Sequence, residues 1–411
     1  MAAELKKNKM ALLNLKIRNN SFLEAALGYT PEQAMKEAGR CQSCTDKSCT
    51  SGCPLNVDIP SLIAEVAKGN FEAAYEIISR KNLLPSTCSR ICSADAMCER
   101  GCKLNEPVAI AALERFAADY HRLNGLEVKN EANDNGHKVA VVGTNPAALG
   151  CAGELLRRGY EVTIFESAGT NCNIPEFRLP KAILKHDLNT LAKLGAEIVT
   201  RDTACRTDEA EELLAGEDFD AVYYSENNEL PGSLNIKGEE LKGVITADSF
   251  LSWVSTKAKD KYYIDAPNIK KSKAVVIGGN VKALDAARSM RRFGADVTVI
   301  FRSSEGCFEA GSDEIKMAKE EGVKFMFLTD LIELTGNREG HVTGVYCEKL
   351  MLTKAVNSDR EELIPLYESE FEIPADHVII VPCNTGTYCE AAGDENGTFT
   401  FKGASTDIYA I

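Results

Sequence analysis

The stretch CQSCTDKSCTSGCP, residues 41–54, contains four closely spaced cysteines, the last directly before a proline. A second stretch, CSRICSADAMCERGC at residues 88–102, adds four more. The chain has 15 cysteines in 411 residues, so these two short blocks hold most of them. Cysteines concentrated in this way are expected to act together, and the two blocks determine what the N-terminal part of the chain is built around.

The residues before the first block favour a reducing environment. The segment MAAELKKNKMALLNLK is basic but has neither a long apolar core nor a small-residue cleavage site, so we expect a cytoplasmic protein. Thiols in the cytoplasm are kept reduced, which disfavours disulfides. A cysteine cluster in that compartment indicates metal binding.

The cysteine spacing favours iron–sulfur clusters over zinc. Zinc sites prefer paired cysteines two residues apart in sets of four. The first block has three close cysteines and a fourth before proline, the arrangement in which the fourth thiolate binds a different cluster. The sequence therefore predicts two 4Fe–4S clusters, with zinc or a set of unligated core cysteines as alternatives.

Composition and charge exclude other classes. Apolar residues make up 44% and charged residues 26% of the chain, which is typical of globular domains. The net charge of −14 argues against nucleic-acid binding, which needs a cationic face. No apolar run approaches the length of a membrane span, so membrane insertion is not expected.

Residues 1–125 are predicted to form a helical domain around the cysteine blocks. Asp58 is a candidate N-cap, and Gly69 is a candidate end of the same helix. A later helix is predicted over residues 107–120. The polar, Gly- and Asn-rich residues 124–137 are typical of a linker.

Two strand–loop–helix–strand units follow, which predict an α/β fold with two Rossmann-like domains. The first unit contains KVAVVG (138–143) and YEVTIFE (160–166), and the second contains KAVVIGG (273–279) and DVTVIFR (296–302). We predict a first domain over 138–265 plus 376–411, to which the strand DHVIIVP (376–382) returns. The second domain, 266–375, is then inserted in the first.

Both nucleotide fingerprints are degenerate. The second glycine of such a fingerprint lets the backbone approach a pyrophosphate. The first unit keeps Gly143 but has Asn145 in that place, and the second unit likewise follows Gly278 and Gly279 with Asn280. The asparagine side chains should intrude on the pyrophosphate, so we predict that FAD and NAD(P) are absent.

Two further positions belong to these nucleotide sites. Glu166 ends the second strand of the first unit, where a ribose-binding acid is expected. Arg302 ends the corresponding strand of the second unit. It is a candidate for contacting a 2′-phosphate, with a solvated surface arginine as the alternative.

Four motifs resemble the glutamate synthase small-subunit family, which includes the NADPH-side subunit of ferredoxin:NADP transhydrogenases and the N-terminal part of dihydropyrimidine dehydrogenase. They are CQSCTDKSCTSGCPLNVDIP, CSRICSADAMCERGC, EPVAIAALERFAADY and IPEFRLPK. The resemblance extends from about residue 20 to the C-terminus. It implies the following ligands: Cys41, Cys44, Cys49 and Cys102 for one cluster, and Cys53, Cys92, Cys98 and Glu114 for the other. Glu114 as a solvated helix residue is the alternative, and Cys88 is expected to be a free buried thiol.

The sequence departs from the family pattern in the segments that surround the flavin in that family. A Pro-Gly-Gly segment and a Tyr-Gly are reduced to SAGTNCN (167–173), and an Ala-Thr-Gly strand end is replaced by YYSEN (223–227). The final residues, TDIYAI, end where the family continues into a flavin-contacting Gly-Asp motif. These departures also favour the absence of FAD. Cys383 and Cys389 fall in the same region and are a minor candidate for a further metal site.

We therefore expect an electron-transfer subunit of a multi-subunit oxidoreductase complex, relaying single electrons through two 4Fe–4S clusters without a catalytic site of its own. Its partners would be flavin- and iron–sulfur-containing redox subunits, such as those of hydrogenases, formate dehydrogenases, aldehyde oxidoreductases or transhydrogenases. One alternative is an NAD(P)H-oxidising FAD/4Fe–4S subunit. The other is a structural subunit in which the clusters only stabilise the N-terminal domain.

Overall fold

The structure, a computed structural model, describes residues 6–125, 132–167, 173–201, 219–225, 236–257, 268–354, 361–381, 390–393 and 399–402. Several residues of the segments named above lie outside these ranges: Cys172, Glu226, Asn227, Cys383, Cys389 and the final TDIYAI segment.

The N-terminal region is helical around the cysteine blocks. Its described helices are α1 (Leu15–Arg18), α2 (Pro31–Ala38), α3 (Ser48–Ser51), α4 (Ile59–Lys68), α5 (Phe71–Ser79), α6 (Pro85–Ile91) and α7 (Ile110–Leu123). As predicted, α4 follows Asp58 and ends at Gly69, whose φ of 80° is the left-handed conformation that glycine adopts readily. The apolar faces of α4, α5 and α7 form one core, against which the partly buried cysteines pack.

Helix α7 begins three residues later than predicted. The Arg40 guanidinium donates hydrogen bonds to the backbone carbonyls of Glu106 and Pro107. Those carbonyls are therefore directed at Arg40 rather than along a helix axis, and the chain turns helical only at Ile110.

The first sheet is fully parallel with the order β3-β2-β1-β4. Its strands are β1 (Lys138–Val142), β2 (Glu161–Ser167), β3 (Glu197–Arg201) and β4 (Ala221–Tyr224). Helices α8 (Pro146–Arg157) and α9 (Lys181–Lys193) accompany it. Leu149, Ile164 and Leu191 are fully buried between sheet and helices.

The second sheet is also parallel and has the order β5-β13-β6-β7-β8. The remaining described elements are β5 (Val244–Thr246), α10 (Ala247–Lys257), β6 (Lys273–Ile277), α11 (Val281–Arg292), β7 (Asp296–Phe301), α12 (Ser312–Glu320), β8 (Lys324–Phe327), β9 (Thr329–Gly336), β10 (Val342–Lys354), β11 (Glu361–Pro365), β12 (Phe371–Pro374), β13 (His377–Ile380), β14 (Glu390–Gly393) and β15 (Phe399–Lys402). Strands β9 to β12 form an antiparallel sheet. The predicted class, α/β with a helical N-terminal domain, is confirmed.

The predicted return of residues 376–382 to the first domain is wrong for the described part of that segment. Strand β13 lies between β5 and β6 in the second sheet. Its side chains Val378, Ile379 and Ile380 are almost fully buried, and a central position covers such an apolar strand on both faces. The second sheet also takes in β5, which the prediction assigned to the first domain. Among the described elements that follow, β15 lies beside β4 of the first sheet.

An N-terminal strap, residues 7–22, crosses from the helical domain to the second sheet. At one end, the Lys7 ammonium pairs with Glu99 at 2.9 Å. At the other end, Arg18 reaches the fully buried carboxylate of Glu321, which also accepts hydrogen bonds of 2.8 to 3.1 Å from Arg288 and Arg292. Burial alone would raise the pKa of Glu321, but the hydrogen bonds and charges of Arg288 and Arg292 lower it to about 2. Three guanidinium groups thus share one ionised carboxylate as a hydrogen-bond acceptor.

Replacing Glu321 with Gln should destabilise the protein strongly. Breaking a buried ion pair leaves uncompensated charge, which costs about 3 to 5 kcal/mol in the free energy of unfolding. The neighbouring Glu320→Gln is the matched control, because the Glu320 carboxyl is 42% exposed and, among the described residues, pairs with Arg18 alone, a contact worth less than about 1 kcal/mol. Urea denaturation at neutral pH measures both, and equal small losses would contradict this role for Glu321.

Candidate metal centre

The four cysteines expected to hold the first cluster line one cavity. Cys41, Cys44, Cys49 and Cys102 surround it, and the apolar side chains of Ile63 and Val108 form part of its wall. On the rim, the exposed Lys103 ammonium pairs with Asp46 at 2.6 Å. Thiols from both cysteine blocks therefore face one space, which is the arrangement that a shared cluster requires.

Two glycines allow the cysteine blocks to touch through their backbones. A Cβ atom on Gly101 would lie 2.6 Å from the carbonyl oxygen of Ser48, and one on Gly52 would lie 2.8 Å from that of Met97. Any side chain at either position would force the blocks apart. The cysteine spacing alone did not predict this contact. The signal that could have revealed it is that each glycine directly precedes a predicted ligand, Cys102 or Cys53.

The first block has an unusual backbone. Ser43, Lys47 and Asn56 have φ values of 50°, 46° and 52°, in the left-handed region that residues other than glycine seldom adopt. The Ser43 backbone N–H lies 3.5 Å from Cys41 Sγ. Such conformations cost energy and concentrate at functional sites, which supports a ligand-binding role for this coil.

The residues expected to hold the second cluster are electrostatic neighbours. Burial raises the pKa of the Cys92 thiol to about 12, and the charges of Glu114 and Cys53 add to the increase. Burial likewise raises the pKa of Cys98, with further contributions from Glu99, Cys92, Glu114 and Cys53. These thiols are neutral as they stand and would ionise on binding a positively charged centre, because metal ligands bind deprotonated.

Glu114 is not a fully solvated helix residue, which was the alternative that the sequence left open. Its side chain lies partly buried on α7, and burial raises its pKa to about 7. The Asn82 amide donates a hydrogen bond of 3.2 Å to Oε1 of Glu114. The carboxyl group is therefore held among the cysteines of the second set.

Cys88 lies close to the same centre. It precedes Cys92 by one turn on α6 and packs against the core of the first sheet. Burial raises the pKa of its thiol, and the charges of Glu114 and Cys92 add to the increase. Its exclusion from the ligand set stays a prediction.

No three His, Cys, Asp or Glu side chains within the described ranges converge closely enough to chelate a single metal ion. A four-iron cluster binds its ligands through separate iron atoms and so holds them further apart. The first four cysteines line one cavity without converging on a single point, an arrangement that suits a cluster better than a single ion.

In the first nucleotide loop, Asn145 caps the helix of its own chain. Its Oδ1 accepts a hydrogen bond from the Ala148 backbone N–H at 2.9 Å, and its Nδ2 donates to the Ser225 carbonyl at 2.9 Å. The N-terminus of this helix is where a Rossmann domain binds pyrophosphate. The asparagine oxygen therefore accepts a hydrogen bond from one of the helix N–H groups at that end.

The second nucleotide loop has the same kind of helix cap. Oδ1 of Asn280 accepts from the Ala283 backbone N–H at 3.0 Å at the start of α11. The sequence predicted that these asparagines would intrude on a pyrophosphate, but it did not reveal that they serve as helix caps. Asparagine is among the strongest N-caps, and this preference was the available signal.

The other predicted nucleotide contacts are engaged within the chain. Oε1 of Glu166 accepts a hydrogen bond from the Thr200 hydroxyl at 2.8 Å. Arg302 is largely exposed and lies 3.4 Å from the Asp330 carboxylate. Gly143 and Gly278 keep positive φ angles, 115° and 151°, so both loops retain the tight turn of a Rossmann fingerprint.

Arg178, within the motif IPEFRLPK, is a different case. Its guanidinium pairs with Asp285 and Glu314, but its Nη2 has no hydrogen-bond partner in the described structure. Arg178 lines a cavity beneath the strap that Cys92 also lines. An unsatisfied buried donor beside the second centre is a feature that a bound polar group would explain.

Replacing Gly101 with Ala should disrupt the first cysteine set. The added methyl group would collide with the Ser48 carbonyl, so Cys102 moves away from Cys49, and about half of the bound iron should be lost. Gly306→Ala is the control, since a Cβ there meets nothing within 4 Å. Iron is measured per chain after anaerobic purification, and unchanged iron in Gly101→Ala would show that this contact does not support the site.

None of the helices in the described ranges is both long and apolar enough to cross a membrane.

Two family models match the chain. Residues 18–126 match the model described as dihydropyrimidine dehydrogenase domain II, 4Fe-4S cluster. Residues 273–350 match the model described as pyridine nucleotide-disulphide oxidoreductase. The N-terminal helical domain is therefore a 4Fe–4S domain, and the second sheet belongs to a pyridine-nucleotide oxidoreductase fold.

Three curated relatives show how far the similarity extends. The glutamate synthase [NADPH] small chain of Escherichia coli (strain K12) is 30% identical over 383 residues, which cover 89% of this chain and 80% of the relative. The putative oxidoreductase AegA of the same organism is 30% identical over 90% of this chain and 58% of its own length. The NADP(+)-dependent formate dehydrogenase subunit beta of Moorella thermoacetica is 31% identical over 81% of this chain and 50% of its own length. The chain thus spans 58% of the length of one of the last two relatives and half of the other. With cysteine centres, fold and similarity in agreement, the chain belongs to the glutamate synthase small-chain family of oxidoreductase subunits.

Proposed function

We propose that this chain is an electron-transfer subunit of a multi-subunit oxidoreductase, carrying two 4Fe–4S clusters and no flavin or nicotinamide chemistry of its own. The observation that carries this proposal is the pair of asparagine caps. Asn145 and Asn280 cap both helix N-termini at which a dinucleotide would bind, whereas the cysteines of both sets are in no disulfide.

A 4Fe–4S cluster accepts and releases one electron at a time. In our proposal, Cys41, Cys44, Cys49 and Cys102 hold the first cluster, and Cys53, Cys92, Cys98 and Glu114 hold the second. The backbone contacts at Gly52 and Gly101 keep the two sets adjacent, because each joins one cysteine block to the other. Adjacent clusters can form a relay through the helical domain.

The lack of a flavin and the lack of nicotinamide chemistry depend on each other. A nicotinamide delivers two electrons as hydride, and a flavin is the group that divides them for one-electron carriers. A chain without a flavin site has no use for its own nicotinamide. It must therefore receive electrons from another subunit, and we propose flavin- and iron–sulfur-containing partners, in line with relatives described as a small chain and a subunit beta.

A second candidate function is an NAD(P)H-oxidising FAD/4Fe–4S subunit. It is favoured by the unpartnered Nη2 of Arg178 in the cavity beside Cys92, and by the match of residues 273–350 to a pyridine-nucleotide oxidoreductase model. The two candidates differ in a quantity that can be measured directly, the flavin content.

Cofactor counting separates the two candidates. Protein purified anaerobically should contain about eight irons per chain and no stoichiometric flavin after denaturing release. Cys44→Ser should remove about half of the iron, while Cys307→Ser, at an exposed cysteine far from both sets in sequence, should remove none. One FAD per chain would refute the flavin-free proposal and support the second candidate.

A further inference from the structure

A buried polar side chain beside the second cysteine set has no role in the proposed function. Asn82 is only 4% exposed and lies between the end of α5 and the start of α6. Its Nδ2 donates to Oε1 of Glu114 at 3.2 Å, and its Oδ1 accepts from the Leu84 backbone N–H at 2.9 Å. Asn82 therefore connects α6, which leads directly into Cys92, to α7, which carries Glu114.

The local hydrogen bonds fix the orientation of the Asn82 amide. The backbone N–H of Leu84 can only donate, so the amide oxygen must face it. The amide nitrogen must then face Glu114, and the opposite orientation would leave the Leu84 N–H against a donor. Among the described residues, Asn82 is the one hydrogen-bond donor to this carboxyl group. Oε1 is held by that donor, and Oε2 stays available.

The residue type at position 82 has a specific explanation. Accepting a hydrogen bond from Leu84 alone would suit aspartate, serine or threonine equally well. Only an amide combines that acceptor with a donor long enough to reach the neighbouring helix. The donor side of Asn82 is therefore the part that local chain geometry does not require.

We propose that Asn82 is a positioning residue for the second cluster. It presents Glu114 as a ligand through one oxygen, and it raises the reduction potential of the cluster. This inference rests on the proposed function, in which Glu114 is a ligand. A hydrogen bond donated to the carboxylate withdraws negative charge from the iron-binding group, and weaker donation to iron favours the reduced form.

Two variants remove the donor in different ways. Asn82→Leu has a similar shape but no polar group. Asn82→Ser keeps a hydroxyl that can accept from the Leu84 N–H but is too short to reach Glu114, so it preserves the fold if Asn82→Leu does not. The full-length, cluster-loaded protein is titrated electrochemically and followed by electron paramagnetic resonance, which distinguishes the clusters.

Both variants should lower the reduction potential of the second cluster and leave the first unchanged. We expect a change of about tenfold in the ratio of reduced to oxidised cluster, which corresponds to about 59 mV for one electron. Iron retention against a chelator should weaken by about ten- to a hundredfold at the second cluster only. Asn70→Ser is the matched control, because the exposed Asn70 makes a comparable 2.8 Å hydrogen bond to Glu65 outside both cysteine sets.

A double variant tests whether Asn82 acts through Glu114. In a Glu114→Cys background, the substitution Asn82→Ser should change the potential much less, because the shorter cysteine side chain leaves no carboxylate oxygen within reach of the Asn82 amide. An undiminished effect in that background would overturn the inference, as would equal effects on both clusters or unchanged potentials in the single variants. If Glu114→Cys alone leaves the spectrum of the second cluster unchanged, Glu114 is not a ligand, and the ligand assignment fails together with this inference.

Discussion

The contact between Gly101 and the Ser48 carbonyl is the constraint on which the metal-binding end of the molecule depends. Two chain segments that are separate in sequence touch there without an intervening side chain, and Gly52 makes the reciprocal contact with Met97. Because the segments meet backbone to backbone, thiols from both line one cavity. The helices behind them supply an apolar core that holds this junction in place.

The cysteine centres and the two nucleotide loops differ in how their polar groups are bonded. At the cysteine centres, burial keeps the Cys92 thiol neutral at pH 7 and leaves the Glu114 carboxyl only partly ionised, so both groups can lose a proton to a positive centre. At the loops after β1 and β6, the exposed ends of helices that ordinarily receive phosphate are capped by Asn145 and Asn280. At both helix N-termini the asparagine already accepts a backbone N–H, whereas the cysteines of both sets are in no disulfide.

The sequence predicted those parts of the structure that depend on local pattern. Cysteine spacing indicated the metal class, and alternating strands and helices indicated parallel sheets. It failed where pairing is long-range: β13 is an apolar strand that would suit either sheet, and only its partners β5 and β6 decide between them. The hydrogen bond between Asn82 and Glu114 joins residues 32 positions apart on different helical segments, so no local sequence pattern indicates it. The caps at Asn145 and Asn280 could have been predicted, since asparagine is a preferred residue at the N-cap of a helix.

The strap has a consequence for how the protein matures. Arg18 and Glu321 are separated by 303 residues, so the ribosome delivers the arginine long before its partner exists. At about 5 to 20 residues per second, the stretch from residue 125 to residue 321 alone takes roughly 10 to 40 s. During this time the helical domain has been synthesised, but Arg18 has no Glu321 to pair with. The cavity that Cys92 lines is also incomplete, because it receives its last lining residue only when synthesis reaches Glu320.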